Sequence, residues 1–386
     1  MADFADEVRR LMADRGLSLR GLARAAGYDP SHLSKILSGR KPPSPYLAAR
    51  LDDVLAADGK VKEAATAHAA RPPVSGQGGT RLPRKAVTAA DAEAVAETTR
   101  AFRDLDNRFG GAHTHKLAAG YLESSVALML RSGSYTEDVG RQLFGAAAQL
   151  AHLTAWTAYD IDDHKHAEVY FARALELASA AGDQAFAGEV LAARGHRAIH
   201  LGSPRRAIEL ARASRHIAAR ADVPALLAEA HELEANGHAL LGERADCAAS
   251  LAESERAFER ADPGSAPAWL AYFGRAYLAA RFAHTLRDLG DWREAERHAL
   301  EARELSGDLA RTRAFNTALL ATAYVETDLE AALSAGSEAL AMSAALQSGR
   351  AVRYVGDLRR RLRRRYGSHS EVREFDEQAS QLLGSR

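Results

Sequence analysis

Two short runs of this chain carry side chains that could ligate a metal or move protons. DIDDHKHAE holds Asp160, Asp162, Asp163, His164 and His166, and carboxylates with imidazoles are the donor set of zinc and other divalent ions. On a helix, however, His164 and His166 stand two positions apart and diverge, so the run reads as a solvated turn. His113 and His115 read the same way. Neither cluster supplies three converging ligands. Gly110–Gly111, after Asp104 and Asp106, lacks the spacing and strand context of a phosphate loop. There is no nucleophile elbow and no Cys/His catalytic pair. The expectation is therefore no catalytic residue, no metal, no cofactor and no enzymatic activity.

Charge gives a clearer direction. Lys+Arg and Asp+Glu both total 51, so the chain as a whole is neutral, but the balance is uneven. From Arg15 to Arg50 seven basic residues face one acid, Asp29, and residues 58–90 carry six against two. Such asymmetry marks the N-terminal end as the one to meet nucleic acid. A second basic run, RRRLRRRY at 359–366, places Leu358, Leu362 and Tyr366 at i, i+4 and i+8. That pattern suits a capping helix with an arginine-rich exposed face, or an auxiliary contact to DNA or an acidic partner. The single cysteine, Cys247, excludes an internal disulfide and fits a reducing cytosol. MADFADEVRR has no signal-peptide pattern, and no run of about 18 apolar residues is present to span a membrane.

The elements behind these residues read as helical throughout. Residues 3–57 form four or five short helices with tight turns. Residues 58–90, with ARPPVSGQGGTRLPRK, break the pattern and read as a basic Pro/Gly linker. From 91 to 386 apolar periodicity is helical, β-branched residues are sparse, and no period-two alternation persists.

The long part repeats. DDHKHAEVYFARALELA, LGSPRRAIELARAS and LGERADCAASLAES share a turn followed by a helix whose opening small residue is Ala167, Ala207 and Cys247, at intervals of 40. LGDWREAERHALEA puts Ala295 there, 48 further on, and TDLEAALSAGSEAL starts a further copy near Ala332. A less regular hairpin occupies about 113–146, and capping helices about 350–386. Two helices per unit at this period specify a solenoid: one pair cannot bury its apolar face, and stacked pairs share a continuous core.

Within the N-terminal segment, SLRGLARAAGYDPSHLSKILSGRKPPS places Ala23 mid-helix, Gly27 at +4, Leu33 at +10 and Ile36 at +13. This spacing resembles the helix-turn-helix of the phage-repressor (Xre/Cro-type) family, over about 55 residues. Ala23 would sit where two helices cross with room for a methyl group, and Gly27 in a left-handed turn. Ser18 can cap the first helix, and Asp29 the second, with Pro30 at its first position. Leu22, Leu33, Ile36 and Leu37 then pack on Val8, Leu11, Leu47, Leu51 and Leu55. The resemblance implies that the second helix lies in the major groove. Ser31, His32, Ser34 and Lys35 would then face the DNA, with Ser31, His32 and Lys35 at base edges. Arg20, Arg40 and Lys41 would meet phosphates.

The repeats resemble the tetratricopeptide repeat: Ala167, Phe171 and Ala174 fit its second helix and Gly195 its first, while the early tryptophan and terminal proline are missing. The combined layout resembles peptide-sensing regulators of Gram-positive bacteria and a second group of regulators from high-GC bacteria. If first helices line the groove, Gln149, His152, Trp156 and Tyr159 form one stripe. Glu189 and His196 follow, then Glu229, Glu232 and Asn236, Tyr277 and His284, and Arg313 and Asn316. Amides and rings of this kind suit an extended peptide.

The reading is an all-α chain: a lambda-repressor-like helix-turn-helix bundle (1–57), a linker (58–90) and a TPR-like α-solenoid (91–386). The function expected is a cytoplasmic, nucleoid-associated transcriptional regulator that binds double-stranded DNA as a homodimer and senses a small peptide or partner protein. The alternative is a scaffold whose helix-turn-helix contacts protein.

Overall fold

The computed structural model describes residues 4–26, 30–38, 43, 45–70, 86–262, 264–305, 307, 310–346 and 348–383, leaving out the side chains of 30–32, 45–46, 67–70 and 132. Regular structure among them is helical, and the one β pairing is an isolated bridge between Ala86 and Ser134. No described helix is long and apolar enough to cross a membrane. The chain divides into two compact units, Met1–Leu82 and Pro83–Arg386.

The first unit contains α1 (Phe4–Asp14), α2 (Leu19–Ala26), α3 (Pro30–Leu37), α4 (Pro45–Val54) and α5 (Lys60–Ala70). Its core joins Val8 and Leu11 of α1 to Leu22 and Ala23 of α2, Leu33 and Ile36 of α3, and Leu47 and Leu51 of α4. Ser18 Oγ accepts from the Gly21 amide at 3.1 Å and so caps α2. The helix α5 lies inside the segment expected to be linker. Its N-terminus is held by the buried Asp52 carboxylate, which accepts from Gly59 N at 2.8 Å and Val61 N at 2.9 Å, and Val61 enters the core. Residues 71–85 of the expected linker lie outside the described residues, as do Gly27 and Asp29, while its last residues are structured, with Ala86 bridged to Ser134 and a helix beginning at Ala89.

The second unit opens with α6 (Ala89–Phe109), started by a reciprocal Thr88–Asp91 capping box. Next come α7 (Gly111–Tyr121), a π-helical turn at 122–126 and α8 (Ala127–Ser132). Five antiparallel hairpins follow. They are α9 (Glu137–Asp160) with α10 (His164–Ala181), α11 (Gln184–His200) with α12 (Pro204–Arg220), and α13 (Pro224–Leu241) with α14 (Arg244–Glu259). Then come α15 (Arg275–Leu289) with α16 (Trp292–Glu304), and α17 (Ala310–Tyr324) with α18 (Leu329–Ala344). The end is formed by α19 (Gly349–Tyr366) and α20 (Ser370–Leu383).

Local signals make these hairpins. Asp163, Asp183, Asp291 and Asp328 cap second or first helices through their side chains, while Pro204 and Pro224 sit at helix starts. Gly242 and Gly290 end α13 and α15 at φ 74° and 81°, where a side chain would be strained. Ala167, Ala207, Cys247, Ala295 and Ala332 are all wholly buried. At Gly237, a Cβ would lie 2.5 Å from Ile208 Cγ1 and 3.1 Å from the Pro204 carbonyl, so α12 and α13 approach closely there. The hairpins form a tetratricopeptide-like array. The longer interval before Ala295 holds an extra 3-10 turn, Ala268–Leu270, from which Trp269 packs edge-on against Phe186 at 5.4 Å.

The array coils until its last helices return to its first. Arg311 of α17 reaches Asp106 and Asn107 of α6 at 2.7 and 2.9 Å. Arg350 and Ser348, at the start of α19, bond Asp160 of α9 at 2.7 and 2.9 Å, and Arg353 pairs with Asp162. Gly349 permits this return: its Cβ would lie 2.8 Å from the Asp160 carbonyl.

Candidate functional site

In the first unit, packing sets one face outward. Ala23 is completely buried, in the core that α2 shares with α1, α3 and α4. Burial of Leu33, Ile36 and Leu37 on one side of α3 leaves Ser34 and Lys35 exposed on the other, and Arg20 and Arg24 of α2 are exposed as well. The Arg9 guanidinium donates to the Leu37 carbonyl and ties α1 to the end of α3. The side chains of Ser31 and His32, and residues Arg40 and Lys41 altogether, lie outside the described residues.

In the second unit, closure of the coil leaves a cavity of about 370 Å³. Its wall includes His152, Trp156, His196, Tyr277, His284 and Asn316 from the expected groove stripes. Tyr159 and Asn236 instead line a neighbouring depression. Glu232 lies behind the wall, bonded to Arg281 at 2.9 Å and Thr285 at 2.8 Å. Gln149 and the exposed Arg313 line neither space, which corrects the expectation for both. Sequence reasoning missed Arg103, Tyr272, Arg281, Arg311, Arg350 and Tyr354.

The wall is aromatic and basic, with its polar groups mostly satisfied from within. Arg350 lies 5.1 to 5.6 Å from the ring centres of Trp156, Tyr159 and Phe315, a set of cation–π contacts. His284 stacks on Tyr354 at 5.4 Å. Trp156 Nε1 donates to His152 Nε2 at 3.1 Å, which requires a neutral imidazole, and burial pushes the pKa of His152 down to about 3. Burial likewise holds His196 and His284 well below the usual range. Burial works to raise the Asp160 carboxyl, but Arg350 and Arg311 outweigh it and hold it low.

Behind the wall two buried carboxylates share one hydroxyl. Tyr272 Oη donates toward Glu189 Oε1 at 3.0 Å and Glu229 Oε2 at 2.8 Å. Burial raises both groups, Glu229 to about 7, and for Glu189 the neighbouring Glu229 charge adds to the effect of burial. Tyr272 comes from the insertion that lengthens this repeat, so the irregular interval has a structural role.

The acidic–histidine run acquires a third member that its spacing did not show. His200, at the end of α11, brings a ring nitrogen within 4.8 Å of ligand atoms on Asp162 and His164. The run by itself supplies two members of this group, and the third comes from a separate helix. Arg353 already pairs with Asp162 and supplies a positive charge beside this group. His238, Glu243 and Asp246 form a second such group. The arginine run of α19 is largely bonded internally: Arg359 to Asp376 at 2.8 Å, Arg361 to Asp357 at 3.1 Å, and Arg365 to Glu326 at 2.6 Å.

With this geometry in place, a helix-turn-helix domain family matches residues 3–65, a span that takes in the start of α5. No curated protein sequence matches the chain. Among solved structures, the TPR domain of P58(IPK) aligns over 98% of this chain and 99% of that one, at 15% identity and a TM-score of 0.23. A score that low carries no structural argument, and the repeat assignment rests on the paired hairpins described above.

Proposed function

We propose that the chain is a sequence-specific DNA-binding transcriptional regulator of the Xre type, acting as a homodimer in the cytoplasm at the nucleoid. The observation that carries this reading is the coincidence of the helix-turn-helix match at 3–65 with a packed unit whose α3 leaves Ser34 and Lys35 free. Lys35, with Ser31 and His32 on the same helix, reads base edges; Arg20, Arg40 and Lys41 hold phosphates and supply the salt-sensitive part of the affinity. A two-fold dimer reads half-sites about one helical turn apart. The repeat unit supplies the dimer contact and takes an effector inside its coil, where a peptide or partner protein is the occupant implied by resemblance.

The test is selection of duplex fragments from a random pool by the full chain, followed by binding across a salt series. Enrichment of a palindromic site, weakened by salt and lost in the Lys35→Glu, Arg40→Glu double variant, supports the reading. Failure to enrich any duplex overturns it and leaves the helix-turn-helix as a protein-contact module.

A further inference from the structure

Four arginines line the cavity, and three already have their anions. Arg281 is bonded to Glu232 at 2.9 Å, Arg311 to Asp106 at 2.7 Å and Arg350 to Asp160 at 2.7 Å. Arg103 of α6 has no hydrogen bond or ion pair among the described residues, yet it is half-buried and lines the same space. The imidazoles around it are kept neutral by burial. Behind the wall, burial and then the Glu229 charge raise the Glu189 carboxyl, and Arg103 pulls against that shift without bonding to it. A second group is also unanswered: Asp106, 4% exposed, uses Oδ2 for Arg311 and leaves Oδ1 buried without a partner.

The remaining wall is flat and apolar. Trp156, Tyr277, Phe315 and Tyr354 offer ring surfaces that favour offset or edge contacts with another ring. The amides expected to hold a peptide backbone are already engaged: Asn236 Nδ2 bonds Asp288 at 3.1 Å, and Asn316 Nδ2 bonds the Ala302 carbonyl at 3.3 Å. At about 370 Å³ the space is at the small end of the range for small-molecule sites, and the coil is closed around it by ion pairs.

We propose that this cavity binds a small planar ring acid: one carboxylate paired with Arg103, one hydroxyl or amine donor facing Asp106, and a ring system of two or three rings between the aromatic side chains. This rests on the reading of the repeat unit as the effector-binding part, and narrows its ligand from extended peptide to aromatic monoanion.

The probe is 4-hydroxy-2-naphthoate, whose hydroxyl cannot bond its own carboxylate, with its uncharged carboxamide as control, titrated calorimetrically into the full chain. The acid is expected to bind at least about tenfold more tightly than the amide, equivalent to about 1.4 kcal/mol. Arg103→Gln should remove that preference while leaving DNA affinity unchanged, since Arg103 is not part of the DNA-binding face. Equal binding of acid and amide, preference retained in Arg103→Gln, or no binding of the acid each overturns the proposal. DNA binding is measured on the same samples. If it persists while the ring acid fails, the cavity assignment alone is lost; if it is absent while the acid binds, the regulator reading is lost instead.

Discussion

Asp160 and Arg350 are 190 positions apart and are joined by a 2.7 Å bond from Nε to Oδ1 inside the protein. Asp160 also accepts from the Gly111 amide at 2.9 Å and from Ser348 Oγ. One carboxylate thus holds the ends of three helices, α7, α9 and α19, and shuts the coil around its cavity.

Asp160→Asn should reveal how much of the unit's stability depends on that hub. Removing one partner of a buried pair strands the other charge, a loss of roughly 3–5 kcal/mol. Urea unfolding of the full chain should show the transition moving to lower denaturant, with the α19–α20 amides gaining hydrogen exchange first. A change below about 1 kcal/mol would show that the closure is redundant.

Gly237→Val tests the close approach of α12 and α13. Ile208 and the Pro204 carbonyl already crowd the position of a Cβ, so the larger residue should cost about 1–3 kcal/mol by overpacking. Thermal unfolding reads the loss. Ile208→Ala in the same chain should recover part of it, because that side chain is the nearer obstacle.

Two sets of buried groups should pull stability in opposite directions below neutral pH. Burial raises Glu229 from 4.5 to about 7, so the unfolded chain releases a proton that the folded chain keeps. The stability of the neutral form is complete below pH 4.5 and is lost as the pH rises through about 7. Glu229→Gln should remove the decline between pH 4.5 and about 7. His152 and His200 move the other way, from 6.5 down to about 3. Their contribution is present above pH 6.5 and is lost as the pH falls toward 3. Urea midpoints measured across the pH range check both limbs.

On the DNA side, the exposed basic residues should separate by role. Arg20→Gln should weaken binding to all duplexes alike and reduce the salt slope by about one. Lys35→Ala should instead relax the preference at one base position, at a cost of about 1–3 kcal/mol for the cognate site. Equal behaviour of the two variants would remove the assignment of Lys35 to a base edge.

The sequence made the hairpins legible because each depends on signals a few residues apart: an aspartate before a helix, a glycine after it, a small residue at the crossing. Ala167, Ala207 and Cys247 could be located without knowing what they touch. Closure could not be read in this way. Asp106 and Arg311 meet only after the small rotation between successive hairpins has accumulated around the coil, and no local pattern records that sum. The same blindness explains Arg313. On a helix of 3.6 residues per turn, Arg311 and Arg313 point to nearly opposite sides, so a register error of two residues exchanges one for the other. α5 escaped notice because its cap, Asp52, sits on the preceding helix rather than at its own N-terminus.

Cys247 offers a consequence of another kind. It is wholly buried, and burial pushes its thiol up to about 11, so a maleimide or disulfide reagent can react with it only when α13 and α14 part. The chain has no other sulfhydryl to confuse the signal. The alkylation rate of the native protein therefore times the breathing of one hairpin in the middle of the array. An occupant that tightens the coil should slow that clock without touching the sulfur.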